Sequence, residues 1–272
     1  MASLAARGSF SRRRPVGSFH LYHMPAGEAL AAIPAGSISI LLTDPPYDTV
    51  DRRATSGHLR RWFPGALSWA QIAKLLAVAR RKLRPDGVAF VMTNGAGLRE
   101  ALAAMERAGF ARVRVITWDR RWPGLGGGLR HQTEYVLVGL LPGSRTLTGS
   151  DLISVSAVGP GTAGRWPTEK PVGLGRKLAK IAGIGPGDVV LDPFCGSGAL
   201  LVGARERGAS VLGCDVAPAA IRRAQGTLGD GRTVHDTSQT PGPPSLEGRR
   251  RAGAPASRNS ARGRRPTRRR SP

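Results

Sequence analysis

The sequence predicts an α/β fold: an open, mostly parallel sheet with helices on both faces. Three observations predict it. Strand-length apolar runs alternate with helix-length segments of 3.6-residue period along most of the chain. The runs are apolar at nearly every position, as strands buried on both faces must be. One strand ends in a turn, Gly196-Ser197-Gly198, that opens directly into a helix. With 272 residues, 40% of them hydrophobic, the chain has enough apolar material for such a core.

Residues 1–16 are rich in Ser and Arg, lack a period and are expected to be disordered. A short apolar segment over Ser18–Tyr22 starts the folded part, and a helical pattern follows over Gly27–Ile33. Ile38–Thr43 is an unbroken β-branched and apolar run, stopped by Asp44-Pro45-Pro46-Tyr47 because two prolines cannot continue a ladder. Residues 48–66 carry no period and read as a long basic loop, functional or mobile. Ser68 is an N-cap residue for a helix to Leu83, with Ile72, Leu75, Leu76, Ala79 and Leu83 on one stripe. Pro85-Asp86-Gly87 predicts a turn into a strand over Val88–Met92. A helix over Gly97–Ala108 closes at Gly109 and leads to a strand over Val113–Trp118. The glycine-rich excursion Gly124–Gly128 delivers a strand over Thr133–Leu140, antiparallel to the preceding one because no helix joins them.

Residues 141–167 form a Gly/Ser/Pro/Thr-rich link with one apolar patch, Leu152–Val158. After Lys170-Pro171 the pattern predicts a helix to Ile181, a strand over Val189–Leu191 and a helix over Ala199–Arg207 ended by Gly208. A strand over Ser210–Cys214 ending at Asp215 and a helix over Pro218–Ala224 follow. Past Gly226 nothing resembles a core. The expected organisation is one domain over 17–228, with halves 17–140 and 168–228 joined by the link, and a disordered tail over 229–272.

Charge narrows the partners. Lys and Arg number 41 against 18 Asp and Glu, a formal +23 at pH 7. Ten arginines lie between 249 and 270 with no acid among them, and the first 248 residues still carry +13. Both parts suit a polyanion, most economically nucleic acid, although such a tail serves equally as a solubiliser. No apolar stretch nears the roughly 20 residues of a membrane span. The arginine-bearing N-terminus has no apolar run and does not read as a secretory signal, so a cytoplasmic location is expected. Cys195 and Cys214 are too few for a disulfide framework or a four-ligand zinc site, and no metal is expected.

Two constellations carry chemistry. Gly196 and Gly198 lie where a strand turns sharply and lets a ligand approach the backbone before a helix N-terminus. Asp215 ends the next strand, 17 residues beyond Gly198, placed to accept hydrogen bonds from ribose hydroxyls. This points to a nucleoside-type cofactor. Leu201 stands where a dinucleotide fingerprint has its third glycine, and a plain tight turn is the alternative. The second constellation is Asp44-Pro45-Pro46-Tyr47. Its prolines fix a rigid exit from the sheet and free the carbonyls to point outward. A carboxylate, a preset carbonyl and a ring suit a planar group bearing an amine; a proline-capped strand with a surface Tyr is the alternative.

In combination these motifs resemble those of the DNA amino-methyltransferases, which methylate adenine N6 or cytosine N4 with S-adenosylmethionine. Asp44-Pro45-Pro46-Tyr47 is similar to their catalytic motif, and Leu191–Gly198 (Leu-Asp-Pro-Phe-Cys-Gly-Ser-Gly) to their cofactor loop. Thr168-Glu169-Lys170-Pro171 is similar to the segment that contacts the methionine end of the cofactor. The catalytic motif precedes the cofactor loop, the β motif order. The resemblance spans about residues 18–225 and implies a Rossmann-like, seven-stranded sheet with its site at strand C-terminal ends. It implies a target base flipped out of DNA, its amine held by Asp44 and the Pro45 carbonyl and its ring stacked on Tyr47. Asp192, Phe194, Cys195, Gly196, Ser197, Gly198, Asp215, Thr168 and Lys170 are the implied cofactor contacts. A nucleoid-associated enzyme of the restriction–modification type would follow.

The sequence departs from that pattern twice. Met24 and Pro25 stand where family members commonly carry Gly-Asp, the Asp contacting the cofactor adenine. Residues 141–167 are too short for an independent target-recognition domain. Arg130 and His131 are candidate DNA contacts, as are Arg52, Arg53, Arg60 and Arg61, interleaved with Trp62 and Phe63; solvated or inward-folded loops are the alternatives. Cys195 and Cys214 read as small buried residues. Adenine N6 is the expected target, because family members of this order that act on cytosine more often carry Ser at the place of Asp44. The rivals are cytosine N4, an RNA base or protein amide, a non-catalytic DNA-binding relative, and a nicotinamide dehydrogenase, which leaves Asp44–Tyr47 unexplained.

Overall fold

The computed structural model describes residues 16–47, 66–123, 128–158, 169–229 and 234–236. In chain order the elements are β1 (Phe19–His23), α1 (Ala26–Ala32), β2 (Ile38–Thr43), α2 (Trp69–Lys82), β3 (Leu83–Thr93), α3 (Leu98–Arg107), β4 (Arg112–Asp119) and β5 (Thr133–Leu140). There follow β6 (Leu152–Ser154), α4 (Val172–Ile181), β7 (Val189–Asp192), a 3-10 turn (Ala199–Leu201) running into α5 (Val202–Glu206), β8 (Ser210–Asp215), α6 (Pro218–Leu228) and β9 (Val234–Asp236). The chain divides into units 1–241 and 242–272, and the second lies outside the described residues.

The strands form one sheet in the order β6-β4-β5-β3-β2-β7-β8-β1-β9. Every neighbouring pair is parallel except those made by β5, which runs against both β3 and β4. All six residues of the central β2 are buried, as its apolar run requires. Alternation along it feeds two core layers. Leu41 meets Leu30, Ile72 and Leu76 of α1 and α2, and Ala101 and Met105 of α3 join the same layer. Ile40 and Leu42 face Leu174 and Leu178 of α4, Leu201 and Ala204, and Ile221 and Ala224 of α6. Each fully buried leucine contributes about 1.5–3 kcal/mol. The α4 and α5 backbones touch at glycines: a Cβ on Gly203 would lie 2.5 Å from the Arg176 Cα.

Ser68 caps α2 as expected, in a reciprocal capping box with Gln71. The expected turn at Pro85-Asp86-Gly87 is absorbed into β3 as an irregularity: Ile38 pairs with Leu83, but Ile40 pairs with Val88. Proline cannot donate to the ladder, so the extra residues bulge out instead of ending the strand. The sheet also has nine strands where seven were expected. The additions are β6 and β9, three residues each on the outer edges of the expected seven. Segments so short carry no readable period. For the same reason the chain past Gly226 is not bare: α6 runs on to Leu228, which is buried, and β9 pairs with β1.

The connection after β2 crosses to α2 on one face, and that after β7 crosses to α5 on the other. The β2/β7 boundary is therefore a topological switch point, where open α/β sheets leave a crevice at their strand C-terminal ends.

Candidate active site

At that edge Thr43, the buried last residue of β2, donates to Asp192 Oδ1 at 2.7 Å. The same oxygen accepts the Phe194 N–H at 3.0 Å. Asp192 is 1% exposed, and burial pushes its carboxyl up to about 7 against the lowering effect of both bonds. Asp192 thus braces the start of the glycine loop to β2. Cys195, Ser197 and Gly198 are also buried, while Phe194 and Gly196 are partly exposed toward the crevice end of the loop. Gly196 (φ 49°) and Gly198 (φ 74°) are left-handed, where a side chain is strained. A Cβ on Gly198 would also come within 3.1 Å of the Ala224 Cβ in α6, so this glycine serves helix packing.

Asp215, at the end of β8, accepts the Gly196 N–H at 3.0 Å on Oδ2 and the Ala217 N–H at 2.9 Å on Oδ1. Burial pushes its carboxyl up against these bonds. Each oxygen keeps acceptor capacity for a further donor. Val216 beside it is 49% exposed. An acceptor carboxylate next to exposed apolar surface and a left-handed glycine loop fits a ribose and its base. His23 lies opposite Asp215 in the ladder, its Nε2 3.1 Å from the Val216 carbonyl, and the Met24 N–H donates to the Asp215 carbonyl. Pro25 is the N-cap of α1 and supplies no side-chain acceptor.

The carbonyls of the segment leaving β2 are not free as expected. The Pro45 carbonyl accepts the Tyr47 N–H at 3.0 Å, and the Pro46 carbonyl accepts the Leu67 N–H at 2.6 Å. A tight turn brings the Tyr47 N–H back to Pro45, leaving one lone pair on that oxygen, while the Leu67 N–H arrives from later in the chain. The Tyr47 ring stacks on Trp69 of α2, centroids 5.5 Å apart and planes 15° from parallel.

Asp44 does not stand alone. Its Oδ2 lies 2.5 Å from Lys170 Nζ, and that ammonium is 3.6 Å from Glu134 Oε2 on β5. Glu134 Oε1 is in turn 3.4 Å from Arg120. Asp44 Oδ1 and Glu134 Oε2 are buried without a hydrogen-bond partner among the described residues. Burial pushes the Asp44 carboxyl up, Lys170 opposes this, and Glu134 adds to it. Burial alone would lower the Lys170 ammonium; the Asp44 and Glu134 charges raise it well beyond that. Burial also pushes the Tyr47 phenol up.

Sequence reasoning missed Glu134 and Trp69. Glu134 carried one faint signal, a lone carboxylate in an otherwise apolar strand. Trp69 carried none, since an aromatic on a helix reads as core. Lys170, expected at the cofactor, lies against Asp44. Arg130 and His131 are exposed on the β4–β5 connection at this edge, beside Leu129, which is 96% exposed. Thr168, Arg52, Arg53, Arg60, Arg61, Trp62 and Phe63 lie outside the described residues. Cys195 and Cys214 are buried and free, their thiols pushed up by burial and so unreactive. Among the described residues no cluster of His, Cys, Asp or Glu is placed to hold a metal, and no helix is long and apolar enough to cross a membrane.

Residues 142–226 match a family model described as DNA methylase. The chain is 24% identical over 225 residues to the type II methyltransferase M2.DpnII of Streptococcus pneumoniae, covering 72% of this chain and 84% of that protein. Two solved structures share the fold. One is a DNA modification methylase of Thermus thermophilus, complexed with S-adenosyl-L-methionine, at 20% identity and TM-score 0.58 over 80% of this chain and 99% of that one. The other is the PvuII DNA methyltransferase, described as cytosine-N4-specific, at 16% identity and TM-score 0.61 over 80% of this chain and 89% of that one.

Proposed function

We propose that this chain is an S-adenosylmethionine-dependent DNA methylase of the N6/N4 family and that its target atom is adenine N6. One observation carries the reading: a buried carboxylate oxygen, Asp44 Oδ1, on a proline-fixed segment at the switch point and beside an aromatic ring, has no partner among the described residues. An exocyclic amine supplies the missing N–H. When that bond and the remaining Pro45 lone pair draw on the amine hydrogens, the nitrogen lone pair turns out of conjugation. Tyr47, backed by Trp69, holds the ring plane. The bound cofactor supplies an activated methyl on a sulfonium, so this chain's residues need only align and stabilise charge. Asp215, Gly196, Phe194 and Val216 would hold its nucleoside end, and Asp192 holds the loop that presents it.

The choice of adenine rests on Asp at the first place of the motif, an acceptor of a charge-assisted bond. DNA enters as a duplex with one base turned out, because an amine inside the stack is out of reach of Asp44. Arg130, His131 and the arginines of 48–66 and 249–270 would meet phosphate, which gives affinity rather than sequence choice. The protein expressed in a methylation-free host, followed by nucleoside mass spectrometry of its DNA, tests the reading. N6-methyladenine is expected; N4-methylcytosine alone would replace the adenine assignment, and no modified base would favour a non-catalytic DNA-binding protein.

A further inference from the structure

The ion pair at Asp44 has a third member that the methyl-transfer reading does not use. Lys170 Nζ donates to Asp44 Oδ2 at 2.5 Å and lies 3.6 Å from Glu134 Oε2, while Glu134 Oε2 has no hydrogen-bond partner among the described residues. The three side chains are 20%, 12% and 16% exposed for Asp44, Lys170 and Glu134. Glu134 comes from β5, the reversed strand, and Lys170 from the segment entering α4, so neither is a sequence neighbour of the catalytic motif. A Lys170 fully committed to Asp44 Oδ2 would draw charge from the carboxylate and weaken Oδ1 as an acceptor for the target amine. A second carboxylate just beyond hydrogen-bond range gives the ammonium another place to go. A displacement on the order of 1 Å exchanges one strong bond for another of the same kind.

We propose that Glu134 is a positioning residue for Asp44, acting through Lys170: it shares the ammonium and so keeps Asp44 a strong acceptor for the amine of the flipped base. The inference rests on the amino-methyltransferase reading of the site. The groups facing Asp44 are Lys170, Glu134, Tyr47 after β2 and Asp192 at the end of β7, with Arg120 behind Glu134. Among them Glu134 and Lys170 act on Asp44 in opposite senses, because one adds negative charge and the other positive. A role confined to packing has no such sign.

The test uses the full chain with two readouts. Carbon-13 NMR of protein labelled at the Asp carboxyl follows Asp44 titration without any ligand. Tritiated methyl incorporation into unmethylated bacterial DNA, with S-adenosylmethionine as donor, gives kcat against pH. Glu134→Gln should move the Asp44 midpoint and the acid limb of kcat down by about one pH unit. It should also lower plateau kcat by about tenfold, since Asp44 stays bound to Lys170. Lys170→Met should move the midpoint up. Glu134→Asp keeps the charge and should fall between wild type and Glu134→Gln; it carries the test if Glu134→Gln fails to fold. A midpoint unmoved in the Glu134 variants, or moved the same way by Glu134→Gln and Lys170→Met, overturns the proposal even if kcat falls. A wild-type protein that transfers no methyl would defeat the functional reading instead, while the NMR titration still decides the Glu134–Lys170–Asp44 linkage.

Discussion

Thr43 and Asp192, 149 positions apart, are joined by a 2.7 Å hydrogen bond that ties the end of β2 to the glycine loop after β7. Because each side chain ends its own strand, this bond fixes the distance between the two halves of the site. The carboxyl that makes it is almost fully buried.

A pH dependence follows. The Asp192 carboxyl is pushed up to about 7 in the folded chain, against about 3.9 unfolded. Between those values the native state binds more protons than the unfolded one, so this group's contribution to stability is lost as pH rises through that window. Asp192→Asn removes the titration. Melting temperature measured from about pH 4 to about pH 8 should therefore fall less with rising pH in the variant than in wild type; equal slopes would show that the carboxyl titrates elsewhere.

The two motifs should separate in their effects. Asp44→Ala should abolish methyl transfer yet weaken cofactor binding by tenfold at most, about 1.4 kcal/mol. Asp215→Ala should weaken cofactor binding much more, since it also releases the Gly196 and Ala217 N–H groups. Titration calorimetry with S-adenosylmethionine reads both, and near-normal turnover in Asp44→Ala would remove Asp44 from the chemistry.

Trp69 backs Tyr47, and its buried indole Nε1 has no hydrogen-bond partner among the described residues. Trp69→Phe keeps the stack and deletes the unsatisfied N–H, worth about 1–3 kcal/mol, so it should offset part of its lost volume. Trp69→Ala should cost about 3–5 kcal/mol in urea unfolding and raise KM for DNA, because Tyr47 loses its support. An alanine variant with unchanged KM would mean that Tyr47 needs no backing.

Pro25 stands at the N-cap of α1 without an acceptor, where family members commonly carry Asp. Pro25→Asp should cap the helix and gain about 1 kcal/mol in thermal unfolding. The new carboxylate should also tighten S-adenosylmethionine binding in calorimetry. Tighter capping with unchanged cofactor affinity would place the cofactor adenine away from this turn.

The sequence by itself decided the fold class and the two motifs, because both depend on local patterns. An apolar run such as Ile38–Thr43 declares a buried strand wherever it lies, and consecutive prolines or paired glycines constrain the backbone whatever surrounds them. The tertiary structure alone decided what those motifs touch. Lys170 and Asp44 are 126 positions apart, and Glu134 has no local signature beyond a charge in an apolar strand. Their meeting depends on the crossovers that bring β2, β5 and the start of α4 to one edge. The same holds for Asp192, which sequence places among cofactor contacts and the structure buries as a brace to Thr43. The short outer strands β6 and β9 were illegible for a related reason: three residues hold no period, and they become strands only because β4 and β1 present edges to pair with.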